Sequence, residues 1–167
     1  MLAPSSNDET IPKRSSVRPR RVLAIASGGG HWVQLRRLRP AFDGLEVAYV
    51  SVFPDYAEEV PSERFYTVSD LTRNSLLNLL ILIPQFVAIL LRERPDVVIT
   101  TGSAPGLVGL AVAKMLTRRH TIWIDSIANC ERMSASGKQA QRFADQWLTQ
   151  WPELSTEQGP HYWGAVL

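Results

Sequence analysis

The chain has one cysteine in its 167 residues. That excludes an internal disulfide and suits a reducing compartment. Charge of one sign is also scarce. With 18 basic against 16 acidic side chains the net charge is +2, too mild a bias for a nucleic-acid binder. No apolar run reaches the roughly 20 residues that a membrane span requires. The richest, Leu76–Leu91 (LLNLLILIPQFVAILL), is broken by Asn78, Pro84 and Gln85. Nor is there a phosphate-loop motif, because Ser136-Gly137-Lys138 lacks a preceding glycine run. Residues 1–20 are polar and proline-containing, without the apolar core of a secretory leader. They read as a flexible tail whose Lys13, Arg14, Arg18 and Arg20 suit an anionic lipid surface.

What is present is organised around Arg21–Arg39. A short apolar run, Val22–Ala26, reads as a buried parallel strand. Ser27 and the glycines Gly28, Gly29 and Gly30 follow, and His31 then opens a helical pattern with Arg36, Arg37 and Arg39 at its far end. Strand, glycine turn and helix start together favour an anionic or strongly polar group beside the turn. The dinucleotide fingerprint is not met. It needs a small residue where Val33 stands, and its acidic partner could only be Asp55, in a loop after Pro54. From these residues alone, a tight turn with a satisfied His31 stays open, as does a small nucleotide-binding oxidoreductase.

The same alternation continues along the chain. Strands are expected at Leu45–Val52, Arg64–Val68, Asp96–Thr101, His120–Asp125 and Gln146–Gln150, and helices at 76–91, Leu107–Leu116 and Gly137–Asp145. Asp70, Thr72, Asn74 and Ser75 are candidate caps for the 76–91 helix. That helix is apolar nearly all round, with Asn78, Gln85 and Arg92 forming one narrow polar stripe. It is expected to pack on the sheet with one side and to dip into a membrane with the other, Leu79 and Phe86 lying outward and Arg73, Arg92 and Arg94 anchoring its ends. Trp32 and Trp123 are expected in the core. The fold class that follows is α/β, a single doubly wound parallel sheet from residue 21 to 167. Ligands of such sheets bind beyond the carboxyl ends of the strands. The turns at Ser27–His31 and Gly102–Gly106 and the loop Asp125–Glu131 all fall on that edge.

In order along the chain stand SGGGHWVQL, RPDVVITTGSAPG, IDSIANCERMSASGK, ADQWLTQWPEL and YWGAVL. In these motifs the chain resembles the membrane-anchor subunit of the two-part N-acetylglucosaminyltransferase that extends dolichol-diphosphate-GlcNAc. It equally resembles bacterial counterparts of that subunit in capsule and exopolysaccharide synthesis. More distantly it is similar to the N-terminal half of the peptidoglycan transferase that makes lipid II. The resemblance implies a GT-B enzyme split between two chains. This chain would hold a polyprenyl-diphosphate-linked saccharide at the cytoplasmic face of the membrane, and a separate donor-binding subunit, docked through His161–Leu167, would bring a UDP-sugar. Neither a metal nor another cofactor is expected.

Inverting transfer needs a base for the acceptor hydroxyl and dipoles or cations around the departing diphosphate. His31 and Asp125 are the candidate bases. Gly28, Gly29, Gly30, Gly102 and Ser103 are expected to hold diphosphate oxygens, Arg73 to pair with acceptor phosphate, and Asn129 to touch the acceptor. In eukaryotic relatives the position of Asp125 tends to be Glu and that of Asn129 tends to be Arg, so the group met at Asn129 differs. Those relatives also carry an N-terminal spanning helix, which here shifts attachment to the 76–91 helix. A scaffold that recruits an already active partner is the remaining alternative.

Overall fold

A computed structural model describes residues 18–70 and 76–166. Arg73 and the candidate caps Thr72, Asn74 and Ser75 lie outside the described residues, as does most of the basic tail. The elements run β1 (Arg21–Ile25), α1 (Gly30–Arg37), β2 (Glu46–Ser51), β3 (Arg64–Thr67), α2 (Leu76–Glu93), β4 (Val97–Thr100), α3 (Ala104–Thr117), β5 (His120–Ile124), α4 (Ala135–Ala140), β6 (Gln146–Thr149) and β7 (His161–Tyr162). All seven strands form one parallel sheet in the order β3-β2-β1-β4-β5-β6-β7. The α/β reading therefore holds. Strand order reverses at β1, which lies between β2 and β4, so the switch point falls between the first glycine turn and the second.

Two elements differ from expectation. The helix before β6 ends at Ala140 rather than Asp145, because Phe143 and Ala144 leave it to pack against the core. The helix after β4 begins earlier, at Ala104, where Pro105 fits a first turn that needs no amide donor.

The central strands β1, β2, β4 and β5 are buried on both faces, as their continuous apolar runs require, while the edge strands β3 and β7 are not. One layer joins Leu23, Ile25 and Val98 to Leu82, Phe86, Ile89 and Leu110, which brings α2 and α3 onto one face. The other joins Val22, Ala24 and Ile99 to Trp32, Leu35 and Tyr49 under α1. Trp32 and Trp123 are core residues, as expected. At the amino edge, Asp96 closes the junction of β1 and β4. It accepts from the Arg21 amide at 3.0 Å and from Arg18 Nη2 at 2.8 Å. That amide bond, with the Arg18 charge beside it, holds its carboxyl below the ordinary range.

Helix α2 is divided by its packing. Leu82, Phe86, Ile89 and Leu90 face the sheet, while Leu80, Ile81, Ile83 and Leu91 are exposed. Placing Phe86 outward is thus corrected. It fills the space over the sheet, and Leu79 is half-buried. The polar stripe serves the chain's own backbone, since Gln85 Oε1 accepts from the Ser69 amide at 3.0 Å and Asn78 Nδ2 donates to the Asp70 carbonyl at 3.4 Å. No helix among the described residues is long and apolar enough to cross a membrane.

This division sets opposite outcomes for two substitutions in one helix. Phe86→Ala, at 0% exposure, should cost about 3–5 kcal/mol in urea unfolding. Ile81→Ser, at 53% exposure, should stay within about 0.5 kcal/mol of the parent. Equal losses at the two positions would show that both sides of α2 are core.

Candidate functional site

The site begins with the turn after β1. Gly29, at φ 56°, takes the left-handed conformation that delivers the chain into α1, and no side chain caps that helix. The first amides of α1 have no partner within the helix and lie at its positive end. The Gly29 amide itself donates to Tyr56 Oη at 3.1 Å. Gly29 and Gly30 are exposed.

The turn after β4 meets this one through His31. The ring Nδ1 lies 2.9 Å from the Thr101 carbonyl oxygen, and Thr101 Oγ1 donates to the His31 carbonyl at 2.7 Å. A carbonyl only accepts, so Nδ1 carries the proton, and the neutral ring keeps its lone pair on Nε2. Gly102, at φ 122°, lies under the ring. A Cβ there would sit 2.7 Å from His31 Cε1 and 2.8 Å from Nδ1. Ser103, which precedes α3, is held at φ 76°, a conformation costly for any residue with a side chain. Its buried Oγ has no hydrogen-bond partner among the described residues. Histidine, two unfilled helix starts and an orphan hydroxyl therefore surround the switch point.

The third loop is built differently. Asp125, 2% exposed, accepts from Trp123 Nε1 at 3.2 Å, Asn129 Nδ2 at 3.2 Å, the Ser134 amide at 2.8 Å and Ser134 Oγ at 2.6 Å. Ser134 Oγ in turn accepts from the Gly137 amide and caps α4. The bonds from Asn129 and Ser134 tie the loop and the start of α4 to the end of β5. Asp125, expected as a candidate base, is met here by four donors, an arrangement that orients its loop. Asn129 is held by that carboxylate at the loop's bend. Arg73 lies outside the described residues.

Behind the three loops runs a buried amide network. Gln34 Nε2 donates to Ser126 Oγ at 3.2 Å, and Gln150 Nε2 donates to both Gln34 Oε1 and the Asp125 carbonyl at 2.8 Å. Gln150 Oε1 accepts from the Val166 amide at 2.8 Å, which joins the C-terminal segment to α1. Sequence reasoning missed Thr101, Tyr56, Gln34 and Gln150. The only available signal was for Gln34, whose place one turn beyond His31 puts it on the buried side of α1. Two clefts of about 550 and 490 Å³ open on the amino edge, one lined by Arg18, Asp96 and His120, the other by Arg39, Leu45 and Glu63, and one of about 300 Å³ opens at the Ala128–Arg132 loop on the carboxyl edge. Among the described residues no group of three or more His, Cys, Asp or Glu is placed to hold a metal ion.

The hydrogen bond to Thr101 fixes a measurable tautomer. In ¹⁵N spectra of the neutral imidazole, His31 should appear with the proton on Nδ1, and Gly102→Ala should shift both ring nitrogens by displacing the ring. A dominant Nε2–H form, or ring signals unmoved by the added methyl, would contradict this geometry.

Comparison with known proteins agrees with the architecture. The chain matches the family model for oligosaccharide biosynthesis proteins like Alg14 over residues 55–166. It is 26% identical over 180 aligned positions to the UDP-N-acetylglucosamine transferase subunit ALG14 of Eremothecium gossypii, covering 89% of this chain and 80% of the relative. Its fold resembles that of MurG from Acinetobacter baumannii, with a TM-score of 0.68 at 13% identity, over 88% of this chain and 46% of MurG. It also resembles the UDP-N-acetylglucosamine 2-epimerase of Rickettsia bellii, with a TM-score of 0.63 at 16% identity, over 81% of this chain and 40% of the epimerase. The chain thus spans less than half the length of these solved structures. With its parallel sheet and the extended family match, the chain belongs to the Alg14 family of oligosaccharide biosynthesis proteins.

Proposed function

We propose that this chain is the acceptor-binding, membrane-recruiting subunit of a two-chain inverting glycosyltransferase, acting on a polyprenyl-diphosphate-linked saccharide with a UDP-sugar as donor. One observation carries the reading. His31 sits at the switch point with Nδ1 committed to Thr101, which leaves Nε2 as an oriented proton acceptor between two helix starts. In the reaction, Nε2 takes the proton of the acceptor hydroxyl while that oxygen attacks the anomeric carbon. The nucleoside diphosphate departs from the opposite face with the electron pair of the broken bond. The Gly28–Gly30 turn, through the amides other than that of Gly29, which Tyr56 takes, and the Gly102–Ser103 turn hold the acceptor diphosphate, with Arg73 the candidate cation for it, and Asn129 borders the saccharide. Asp125 is a positioning residue for the loop that carries Asn129.

The donor half comes from a second chain. The Eremothecium relative is described as a transferase subunit, which supports a partner chain that supplies the other wall of the cleft. The His161–Leu167 segment supports docking there, for Tyr162 and Trp163 are exposed and the Val166 amide is tied into the buried network behind the site. Contact with the cytoplasmic face of the membrane is assigned to the outward side of α2, where Leu80, Ile81, Ile83 and Leu91 form an apolar stripe ending at Arg92, and to the basic tail.

Reconstitution tests the assignment. The purified chain alone should transfer almost no sugar, and adding its donor-binding partner should restore turnover. In that pair, His31→Ala should lower kcat by about 10²–10⁴-fold. Full activity of the lone chain would refute the division of labour, and unchanged turnover of the His31 variant would leave a recruiting scaffold as the better reading.

A further inference from the structure

Phe53 is a large apolar side chain on the carboxyl edge, 51% exposed, and nothing in the reaction proposed above uses it. It is not loose. The β2 strand ends at Ser51, whose Oγ donates to the Ser27 carbonyl, and the Phe53 amide donates to that same Oγ at 3.5 Å. The ring lies directly over Gly28, where a Cβ would fall 2.2 Å from Phe53 Cε2. The ring also meets Tyr56 edge to face, with centroids 5.7 Å apart. Tyr56 stacks flat on buried Trp32 at 4.8 Å and accepts from the Gly29 amide. A core-anchored aromatic column thus rises beside the glycine turn and ends in a fixed, solvent-facing ring.

We infer that Phe53 is the platform for the sugar ring of the acceptor, stacking against its C–H face beside the diphosphate held at the turn. The inference rests on the proposed function, since it takes the turn as the diphosphate site. Two groups flank a diphosphate in such an acceptor, the sugar and the prenyl chain, and the fold separates them. The aromatic column belongs to the layer under α1, whereas the exposed apolar stripe of α2 lies on the opposite face of the sheet. A prenyl chain directed to α2 leaves the turn on that side, so the sugar remains over Phe53. An aromatic face suits a pyranose because it offers apolar area at little entropic cost and a negative quadrupole to the ring's C–H bonds. Tyr56 contributes by fixing Phe53 and the Gly29 amide together.

The test compares two probes that differ only in the sugar: a short-chain prenyl diphosphate bearing N-acetylglucosamine, and the same prenyl diphosphate without it. Both are titrated calorimetrically into the full chain. Phe53→Ala should weaken the sugar-bearing probe by up to about tenfold and leave the bare prenyl diphosphate unchanged, with the melting temperature kept. Phe53→Trp should restore affinity. Equal weakening of both probes would assign the ring to the prenyl chain and overturn the inference, as would no weakening at all. If the unaltered chain binds neither probe, the acceptor assignment fails, and the sugar platform with it.

Discussion

The contact between the His31 ring and the Thr101 carbonyl joins the two halves of the sheet's carboxyl edge. It spans 2.9 Å between a residue that opens α1 and the residue that follows β4, and the return bond from Thr101 Oγ1 makes the link reciprocal. The site's main features depend on this pairing. It sets the tautomer of the histidine, places two unfilled helix starts side by side, and requires glycine at position 102 because the imidazole occupies the space of a Cβ. A parallel sheet creates the crevice at its switch point through topology alone. The histidine gives that crevice a chemical direction.

Around the contact, two sets of buried polar groups keep the loops from drifting. Asp125 spends its carboxylate on the 126–133 loop and the start of α4. The two glutamines bind α1, the end of β5 and the C-terminal segment to one another. Buried amides and carboxylates are tolerable only when their hydrogen bonds are met, and a fully met network holds a single geometry. The contrast with Ser103 is informative. There a buried hydroxyl stays unpartnered and the backbone is strained, on the edge where a ligand's oxygens are expected.

Much of this was legible in the residues. Apolar runs such as Val22–Ile25 and Val97–Ile99 can only be strands buried on both faces, and their alternation with helical patterns dictates the parallel sheet. The glycine turns pointed to the carboxyl edge of the sheet because tight turns with positive φ leave a compositional trace. Long-range side-chain commitments leave none. Nothing in IDSIANCERMS tells that Asp125 points inward to four donors, because residue type alone does not give a side chain's partners. Helix α2 illustrates the same limit. Its apolar excess was visible, but which of Phe86 and Ile81 turned inward depended on the sheet beneath it. Phe53, Tyr56 and Trp32 are separate letters in the chain and become a column only when the loop after β2 folds back over α1.

The central claim is that the two turns form one anion site through His31. Amide chemical-shift mapping during titration of the full chain with inorganic diphosphate examines it most directly. Shifts should concentrate at Gly30, His31 and Gly102–Ser103 together, with the two turns reporting the same dissociation constant. Shifts confined to one turn, or gathered at the amino-edge clefts around Arg18 and Arg39, would contradict it.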